Sequence, residues 1–387
     1  MTLPLGYYNE NDKRVCKLKR SLYGLKQAPR KWNEKLSYAL IENGFRQSLN
    51  DYSLFIKTNN DVFIAILVYV DDIVVTGNNT CEINKFKDFL KSKFQIKDLG
   101  VLKYFLGIEV IRENKNICLS QRKYTLDLLT EFGLLNCKPI YTPIEPNLKF
   151  NNDDDLNDLP LKNITEYQRL IEKLIYLTLT IPDISYSVHV LSQFMHAPKV
   201  SHLKCALRVL RYLKSAPGKG ICIRKGDDTD LMCYVDSDWG TRIVAMKSVT
   251  GYCLFLNGSI LTWKSKKQDC VSRSSAEAEY RALADASCEV IWILKVLNDF
   301  GKSCIIPVQI HIDNSAAIKI ANPVFHEKTK HFDLDLHFVR DKINKGVIQT
   351  KKVDSAENKA DIFTKGLCSF EHNKMCNLLG LKDCFGN

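Results

Sequence analysis

An apolar hairpin that carries two adjacent acids constrains the fold of this chain more than any other segment. Val62–Val70 is β-branched, aromatic or aliphatic throughout except at Ala65. Such a run predicts a strand that is buried on both faces. Asp71 and Asp72 follow at once and precede a second apolar run, Ile73–Gly77, so the two carboxylates are expected at the tip of a β-hairpin. A plain surface turn is the alternative, because aspartate favours turns.

Composition limits the classes to which the chain can belong. It has 387 residues, of which 45% are hydrophobic and 26% are charged. These proportions exclude a largely disordered or fibrous chain and predict two or three domains. A membrane-spanning helix needs about 20 apolar residues, so the run above is too short. Met1–Glu10 lacks the basic and apolar regions of a signal peptide, and we therefore expect an intracellular protein.

The cysteines indicate a reducing compartment. Fourteen cysteines are scattered along the chain, and no two of them have the Cys-x-x-Cys spacing. Scattered cysteines without a secretory signal predict reduced thiols rather than a disulfide framework. The same scatter argues against a zinc module.

The positive charge is concentrated in two segments. Lysine and arginine together number 55, and aspartate and glutamate 44, so the net charge is +11, which suggests a polyanionic partner, most simply nucleic acid. Lys13–Lys35 holds nine basic residues and one acid, whereas Lys199–Lys225 holds eight and no acid. In the second segment a helical spacing of i, i+4 and i+7 places three cations on one face: Lys204, Arg208 and Arg211. An ordinary solvated face is the alternative.

From about residue 228 the chain alternates strands with helices. Leu231–Val235 predicts a strand ending at Asp236, and Asn257-Gly258 predicts the tight turn between two further strands, Thr250–Leu256 and Ser259–Trp263. The elements expected after them are a helix from Ser275, a strand Val308–Ile312, a helix from about Ser315, a strand near Gly346–Lys351 and a last helix from about Ala356. This order predicts one mixed α/β domain.

One helix of this region carries an acid that faces the predicted core. Ser274 and Glu277 have the Ser-x-x-Glu spacing of a capping box, which gives Glu277 a structural role on a polar face. Glu279 has no such role, and its helical face continues into an apolar stripe formed by Leu283, Ala286 and Val290. A carboxylate facing the core is costly unless it meets a cation, so we expect Glu279 to face a metal or another cation.

Further aspartates are candidates for the same site. Asp313 directly follows the strand Val308–Ile312. Asp361 is expected in the first turns of the last helix, where a favourable interaction with the helix dipole explains it equally well. Asp238 competes with Asp236, which we prefer because it follows its strand directly.

Several motifs resemble those of copia-type retrotransposon polymerases. Tyr69-Val70-Asp71-Asp72 resembles the Tyr-x-Asp-Asp signature of reverse transcriptases, and Ser21–Trp32 and Phe94–Val110 resemble motifs that flank it in the copia type. The resemblance implies that Asp71 and Asp72 hold two divalent ions for phosphoryl transfer, with Tyr69 at the nucleic acid.

The resemblance also implies roles for the basic segment before the hairpin. Gln27 would contact the incoming nucleotide or the template base, and Lys26 and Arg30 would lie near phosphates. Trp32 either contacts nucleic acid or belongs to the core. In the middle of the chain, Lys204 and its two neighbours in the cationic face would belong to a thumb-like helix that follows a duplex backbone.

In the last region the resemblance is to the RNase H family. Its Asp-Glu-Asp-Asp order is reproduced by Asp236, Glu279, Asp313 and Asp361. This implies two Mg²⁺ ions, with Mn²⁺ as an alternative, one activating water and the other stabilising the leaving 3′-oxygen, and hydrolysis of RNA within an RNA–DNA hybrid. Three lysines, Lys264, Lys266 and Lys267, would contact the hybrid or would protect an edge strand from aggregation.

The implied fold combines α/β and α+β parts. It consists of a partial reverse-transcriptase palm over residues 1–115, a helical thumb or connection region over 116–227, an RNase H-like domain with a five-stranded mixed sheet flanked by helices over 228–367, and a C-terminal tail over 368–387. Residues 3–7 match a Pro-rich turn that, in the family, follows a strand carrying another catalytic aspartate. We therefore expect polymerase activity to be lost and RNase H activity to be kept.

A non-catalytic nucleic-acid-binding product of a decayed element is the alternative function. The partners implied by the resemblance are a template–primer duplex, an RNA–DNA hybrid and other Pol or Gag products. The implied location is a cytoplasmic virus-like particle with access to the nucleus, without a membrane partner.

Overall fold

The computed structural model describes residues 15, 17–19, 24–146, 148, 158–226, 229–240, 247–322 and 333–386. The Pro-rich turn expected at residues 3–7 and the first part of the polymerase motif, residues 21–23, lie outside the described residues. The chain divides into two compact units, Met1–Gly100 and Val101–Asn387. The boundary between these units lies after residue 100. The assignment of residues 1–115 to a palm, 116–227 to a thumb or connection region and 228–367 to an RNase H-like domain stays a prediction. Within the described ranges no helix is long and apolar enough to cross a membrane.

The described residues of the first unit form a four-stranded antiparallel sheet and two helices. Its elements are α1 (Ala28–Glu42), β1 (Arg46–Gln47), β2 (Leu54–Asn59), β3 (Val62–Tyr69), β4 (Asp72–Gly77) and α2 (Thr80–Lys93), and the strands lie in chain order. Pro29 fits the first turn of α1, where no backbone N–H is needed. Asn79 caps α2 by accepting a hydrogen bond from the N–H of Glu82 at 3.2 Å. The helices cover a core that includes Leu36, Leu40, Phe55, Ile66 and Phe86.

The predicted hairpin is confirmed. Tyr69 on β3 lies opposite Asp72 on β4, so Val70 and Asp71 form the turn. Val70 has a φ of 49°, a left-handed conformation that β-branched residues rarely adopt. Burial of three consecutive residues, Ile64–Ile66, confirms that the strand is covered on both faces at its centre. Burial of the hairpin decreases towards the turn, where Tyr69 and Val70 are 54% and 57% exposed.

In the second unit, the part of the chain that the structure describes forms two five-stranded sheets and a group of helices. Its elements are β5 (Tyr104–Phe105), β6 (Ile108–Glu113), β7 (Asn116–Ser120), α3 (Arg122–Glu131), α4 (Ile164–Leu177), α5 (Ser185–Ser192), α6 (Val200–Leu213), β8 (Lys219–Ile223), β9 (Leu231–Asp238), β10 (Val249–Leu256), β11 (Ser259–Lys267), α7 (Ser275–Asp299), β12 (Val308–Ile312), α8 (Ser315–Ala321), α9 (Asp333–Asn344), β13 (Ile348–Lys352), α10 (Ser369–Leu378) and β14 (Lys382–Asp383). The helices α4, α5 and α6 pack around a shared apolar core, which confirms the helical middle of the chain.

The first sheet of this unit corrects two expectations. Its order is β14-β8-β7-β6-β5, so residues 382–383, expected in a tail, form an edge strand of the sheet. Cys118 on β7 lies directly opposite Cys222 on β8, and the two form a disulfide. The expectation of reduced thiols is therefore wrong for this pair, because the register brings together two sulfurs that are 104 residues apart in sequence.

The second sheet confirms the predicted RNase H-like arrangement. Its order is β11-β10-β9-β12-β13, with antiparallel pairing among the first three strands and parallel pairing of β12 with both β9 and β13. Asn257 and Gly258 both have positive φ values, 51° and 71°, as a tight hairpin turn requires. Helix α7 packs on β9 and begins after Ser274, whose hydroxyl accepts from the N–H of Glu277.

The helix expected from about Ala356 is wrong. The chain there forms two short 3₁₀ turns, Ser355–Glu357 and Asp361–Phe363, and α10 begins only at Ser369. The fully buried side chain of Asn358 explains the difference, because its Nδ2 donates to the carbonyl of Val235 at 2.9 Å and its Oδ1 accepts from the N–H of Ala360 at 3.2 Å. These bonds tie the backbone to β9 and replace the bonds of a helix.

Candidate active site

Three acids predicted from separate segments meet at one edge of the second sheet. One carboxylate oxygen each from Asp236, Glu279 and Asp313 lies within 4.8 Å of the other two. Asp236 and Asp313 are brought together because β9 and β12 are parallel neighbours, with Val235 opposite Ile312, so their carboxyl ends share an edge. The prediction that these acids lie side by side is confirmed by the geometry; their catalytic role stays a prediction.

Glu279 reaches the cluster from the second turn of α7. Its helical face continues into the fully buried Leu283, Ala286 and Val290, which confirms that it faces inwards. Glu279 is 5% exposed, and its Oε2 has no hydrogen-bond partner among the described residues. Glu277 is buried as well, although we placed it on a polar face. It is satisfied there, since its Oε1 accepts from the guanidinium of Arg281 at 3.0 Å and its Oε2 from the N–H of Arg273 at 2.9 Å.

Asp361 approaches the cluster from the second 3₁₀ turn, so the helix-dipole explanation for it is wrong. This turn lies against β10 where Gly251 pairs with Asp236. A Cβ on Gly251 would lie 2.6 Å from Cγ2 of Thr364 and 3.1 Å from the carbonyl oxygen of Ala360, so only glycine permits this approach. The glycine therefore sets the distance between the turn and the strand that carries Asp236.

Two hydroxyl groups fix the carboxylates. Thr364 Oγ1 donates to Asp236 Oδ2, and Ser355 Oγ donates to Asp313 Oδ2 at 2.7 Å. The sequence reasoning missed both residues, together with Gly251 and Asn358. A signal existed only for the glycine, because an isolated glycine within a strand pattern suggests close approach of another backbone.

Burial and mutual repulsion disfavour ionisation of these acids. Burial, with Asp236 and Asp313 adding to it, raises the pKa of Glu279 to about 9. Burial and the neighbouring Asp236 raise the pKa of Asp361 to about 7, and burial also raises the pKa of Asp236. Asp238, which we ranked below Asp236, has its pKa raised to about 6 by burial and by Asp236. Cations stabilise such a cluster in its charged form.

Lys365, which the sequence reasoning missed, is in contact with the same acids. Its Nζ lies 3.1 Å from Asp361 Oδ2 and 3.7 Å from Asp236 Oδ2. Asp361 Oδ1 is buried without a hydrogen-bond partner in the described structure. The carboxylate oxygens of Asp236, Glu279 and Asp313 lie within 4.8 Å of one another, and buried oxygens without a hydrogen-bond partner in the described structure lie on Glu279 and on the neighbouring Asp361. These features fit a hard divalent cation such as Mg²⁺.

The acid pair of the first unit has a different setting. Asp71 and Asp72 are exposed at the hairpin tip, and the described residues add no third ligand to them within the distance that defines the other cluster. Trp32 Nε1 donates to the carbonyl of Val70 at 2.8 Å, and its ring meets Phe94 edge to face at 5.2 Å. Trp32 is half-buried, packs against the core of this unit and holds the turn that precedes Asp71.

The other predicted contact residues of the first unit lie at the start of α1. Lys26, Gln27 and Arg30 are exposed, and Arg30 Nε lies 3.6 Å from a carboxylate oxygen of Glu34. Tyr69 is exposed beside the hairpin turn. Their contacts with a nucleotide or with phosphates stay predictions.

Two of the three cations predicted on α6 are engaged within the chain. Arg208 pairs with Glu145 at 2.7 Å and donates to Thr142 Oγ1 at 3.0 Å, and Arg211 Nε donates to the carbonyl of Lys138 at 3.2 Å. These bonds hold residues 138–145 against the helix. Of the three, only Lys204 is exposed, so the predicted duplex-contacting face is reduced at this helix.

The lysines predicted to contact a hybrid lie on the edge strand β11. Lys264 and Lys266 are exposed on the same side of that strand, and Lys266 pairs with Asp269 at 3.6 Å. Their position agrees with both alternatives, hybrid contact and protection of the edge.

The sequence reasoning also missed a buried polar network that joins α6 to α10. Asp183 accepts from the hydroxyl of Tyr212 and lies 3.1 Å from Lys219 Nζ and 3.5 Å from His372 Nε2. Burial alone would raise the pKa of Asp183, but Lys219 and His372 outweigh it and hold that pKa well below its usual range. The fixed ammonium group makes this a structural network, and the network anchors α10.

Known proteins resemble this chain over nearly its whole length. Residues 1–146 match the family described as reverse transcriptase (RNA-dependent DNA polymerase). The retrovirus-related Pol polyprotein from transposon RE1 of Arabidopsis thaliana is 40% identical over 383 residues, which cover 98% of this chain and 26% of that protein. The one from transposon TNT 1-94 of Nicotiana tabacum is 34% identical over 377 residues, 94% of this chain and 28% of that protein. The chain thus spans little more than a quarter of these relatives.

A shorter relative is covered almost completely. A putative transposon Ty5-1 protein of Saccharomyces cerevisiae is 33% identical over 301 residues, which cover 74% of this chain and 94% of that protein. Among solved structures, LC11-RNase H1 isolated from compost aligns with 35% of this chain and 93% of that chain at 16% identity, with a TM-score of 0.29. The RNase H-like assignment of the second sheet rests on its strand order and not on this alignment.

Proposed function

Because the chain belongs to the copia-type retrotransposon Pol family, we propose that its second unit hydrolyses RNA in RNA–DNA hybrids with divalent cations held by the acid cluster. The observation that carries the proposal is the convergence of Asp236, Glu279 and Asp313, with Glu279 buried and unpaired. A buried carboxylate without a partner is costly in a purely structural role, and a cation removes that cost.

The residues around the cluster have separate tasks in this proposal. Asp236 and Glu279 would hold the cations with Asp313 and Asp361, and Mg²⁺ or Mn²⁺, when bound, supplies an activated water and stabilises the leaving 3′-oxygen. Thr364 and Ser355 orient Asp236 and Asp313 through their hydroxyl hydrogen bonds. The turn that packs closely against Gly251 would exclude water from the side of the cluster that faces it.

The hybrid would extend from the acid cluster towards β11, the outer strand of the second sheet. Lys264 and Lys266 are exposed on β11, where they would contact phosphates of the substrate. Family membership extends the proposal to a template–primer duplex and to other Pol or Gag products as partners, in a cytoplasmic virus-like particle.

The test is cleavage of an end-labelled RNA–DNA hybrid by the purified chain in the presence of Mg²⁺. We expect cleavage that stops with a chelator and falls about 100-fold or more in Asp313→Asn, which removes one charge from the cluster. Asp341→Asn is the matched control, since Asp341 lies on α9 and pairs with Lys345. No cleavage, or equal cleavage by both variants, would refute the proposal. Salt-sensitive binding without turnover would favour a non-catalytic binding protein.

A second function, contribution to a polymerase site, is favoured by the first unit. The reverse-transcriptase match covers the hairpin, and Trp32 fixes the turn that precedes Asp71. We propose that Asp71 and Asp72 supply two carboxylates of that site. Primer extension on a labelled template–primer tests whether this chain polymerises by itself: extension that is lost in Asp72→Asn would establish that it does.

A further inference from the structure

Lys365 divides the acid cluster into two parts. Its ammonium group bridges Asp361 and Asp236, with Nζ 3.1 Å and 3.7 Å from their Oδ2 atoms. The other part is formed by Asp236, Glu279 and Asp313, whose oxygens lie within 4.8 Å of one another. Asp236 belongs to both parts, and each part contains one buried oxygen without a hydrogen-bond partner within the described ranges, on Glu279 and on Asp361.

The other nearby cations are committed elsewhere. Arg281 pairs with Glu277 at 3.0 Å, and the ammonium group of Lys359 lies over the ring of Phe255, 4.2 Å from its centroid. Among the ion pairs of the described residues, those of Lys365 are the ones that reach Asp236 or Asp361. The cluster therefore has an internal counterion on one side.

An ammonium group and a divalent cation cannot occupy this position together. The ammonium group already lies against the Oδ2 atoms of Asp361 and Asp236, and two positive groups a few ångströms apart repel each other strongly where water is excluded. The Lys365 side chain is 40% exposed, and its flexible four-carbon stem lets the ammonium group leave the cluster for solvent. Its withdrawal does not require the backbone of the turn to move.

We propose that Lys365 is an internal counterion that occupies the second cation position between Asp236 and Asp361 and is displaced when a divalent cation binds there. The inference rests on the proposed function, because it assumes that the cluster binds two divalent cations. It assigns different affinities to the two positions. The position formed by Asp236, Glu279 and Asp313 fills first, and the position shared with Lys365 fills at higher concentration.

Calorimetric titration with Mg²⁺ and Mn²⁺ tests the proposal on the whole chain. We expect one tighter and one weaker cation in the unmodified protein. In Lys365→Gln the weaker affinity should rise about tenfold, with little change in the tighter one, because the competing charge is gone. Lys365→Arg keeps the charge and should keep the weak second position. Lys345→Gln is the matched control, since it also removes the lysine of an Asp-to-Lys i, i+4 pair, 2.9 Å long, outside the cluster.

A second measurement uses the unmodified protein, so it does not depend on the folding of a variant. In protein with ¹⁵N-labelled lysine side chains, one ammonium signal should change as the second equivalent of cation binds, and not with the first. An unchanged second affinity in Lys365→Gln, or an ammonium signal that responds to neither equivalent, overturns the inference. If two cations bind and the hybrid is cleaved in that case, the proposed function stands; if no cation binds, both fail.

Discussion

The two acid groups of this chain use the same residue type in opposite surroundings. Asp71 and Asp72 are neighbours in sequence and lie exposed at the tip of one hairpin. Asp236, Glu279 and Asp313 come from segments as far as 77 residues apart and are brought together in a mostly buried cluster. The first pair is a local product of a turn, whereas the second depends on a whole sheet and the helix packed on it.

The two groups of acids therefore differ in what would complete and position them as a cation site. Exposed carboxylates at a turn can form a cation site together with groups on a substrate. Buried carboxylates raise one another's pKa and are positioned by their own hydrogen bonds before any ligand arrives. Substitutions in the two groups should therefore differ in their effects on stability, and those in the buried cluster should have the larger effects.

The pH dependence of stability should separate the two groups most strongly. The pKa of Glu279 is raised to about 9 in the folded protein, so its contribution to stability is complete below its usual value and is lost as the pH rises through about 9. The expected loss is on the order of 5 kcal/mol in metal-free protein. Urea unfolding between about pH 5 and pH 9 measures it.

Glu279→Gln should show a much smaller loss over the same range, since its amide does not ionise. The remaining loss includes the contributions of Asp361 and Asp238, whose pKa values are raised to about 7 and about 6. Adding Mg²⁺ should reduce the slope of unfolding free energy against pH in the unmodified protein, because a bound cation favours the charged carboxylates. Equal slopes for the variant and the unmodified protein would contradict the account of the buried cluster.

Gly251→Ala should disturb the cluster without touching an acid. The added Cβ would lie 2.6 Å from Thr364 and 2.9 Å from Phe363 Cβ, so the turn that carries Asp361 must move away. Overpacking of this kind costs about 1–3 kcal/mol of unfolding free energy. Denaturant unfolding measures the loss of stability, and Mg²⁺ titration measures the effect of the displaced turn on cation affinity. Normal stability together with normal cation affinity would show that the turn does not depend on this glycine.

Trp32→Phe should loosen the hairpin of the first unit. The substitution keeps an aromatic ring against Phe94 and removes the indole donor to the carbonyl of Val70, a bond worth about 1 kcal/mol. Hydrogen exchange of residues 62–77 should become faster. Trp263→Phe is the control, because it removes an indole donor to the carbonyl of Thr178 in the second unit and should leave exchange in residues 62–77 unchanged.

Asp71→Asn should have the smallest effect on stability. The side chain is exposed at a turn, and surface positions of this kind tolerate substitution well. The midpoint of urea unfolding should stay the same as in the unmodified protein at every pH between about 5 and 9. A pH-dependent shift in this variant would mean that the hairpin acids are coupled to folding in the same way as Glu279.

The sequence predicted what depends on neighbouring residues. The hairpin, the strand Val308–Ile312 and the start of α7 all follow from local patterns and match the structure. The choice of Glu279 over Glu277 as the unpaired inward-facing acid also followed from helical periodicity, since periodicity fixes the face of a helix. Even there the burial of Glu277 was missed, because its pairing with Arg281 allows an acid to lie under a helix.

What the sequence could not predict depends on contacts between distant segments. Asn358 bonds to Val235, 123 residues away, and this bond replaces the helix that local propensity favoured. Lys365 follows Asp361 by four residues, but only the folded turn shows that it also reaches Asp236. Likewise, the disulfide between Cys118 and Cys222 follows from strand register, which composition and spacing do not contain.

The most direct test of the buried cluster as a cation site is a crystal structure of the chain grown with Mn²⁺, with the ions located by anomalous scattering. We expect one ion among Asp236, Glu279 and Asp313, and a second between Asp236 and Asp361 with the Lys365 ammonium group turned out to solvent. An acid cluster without a manganese peak, at a concentration that supports cleavage of the hybrid, would contradict the account.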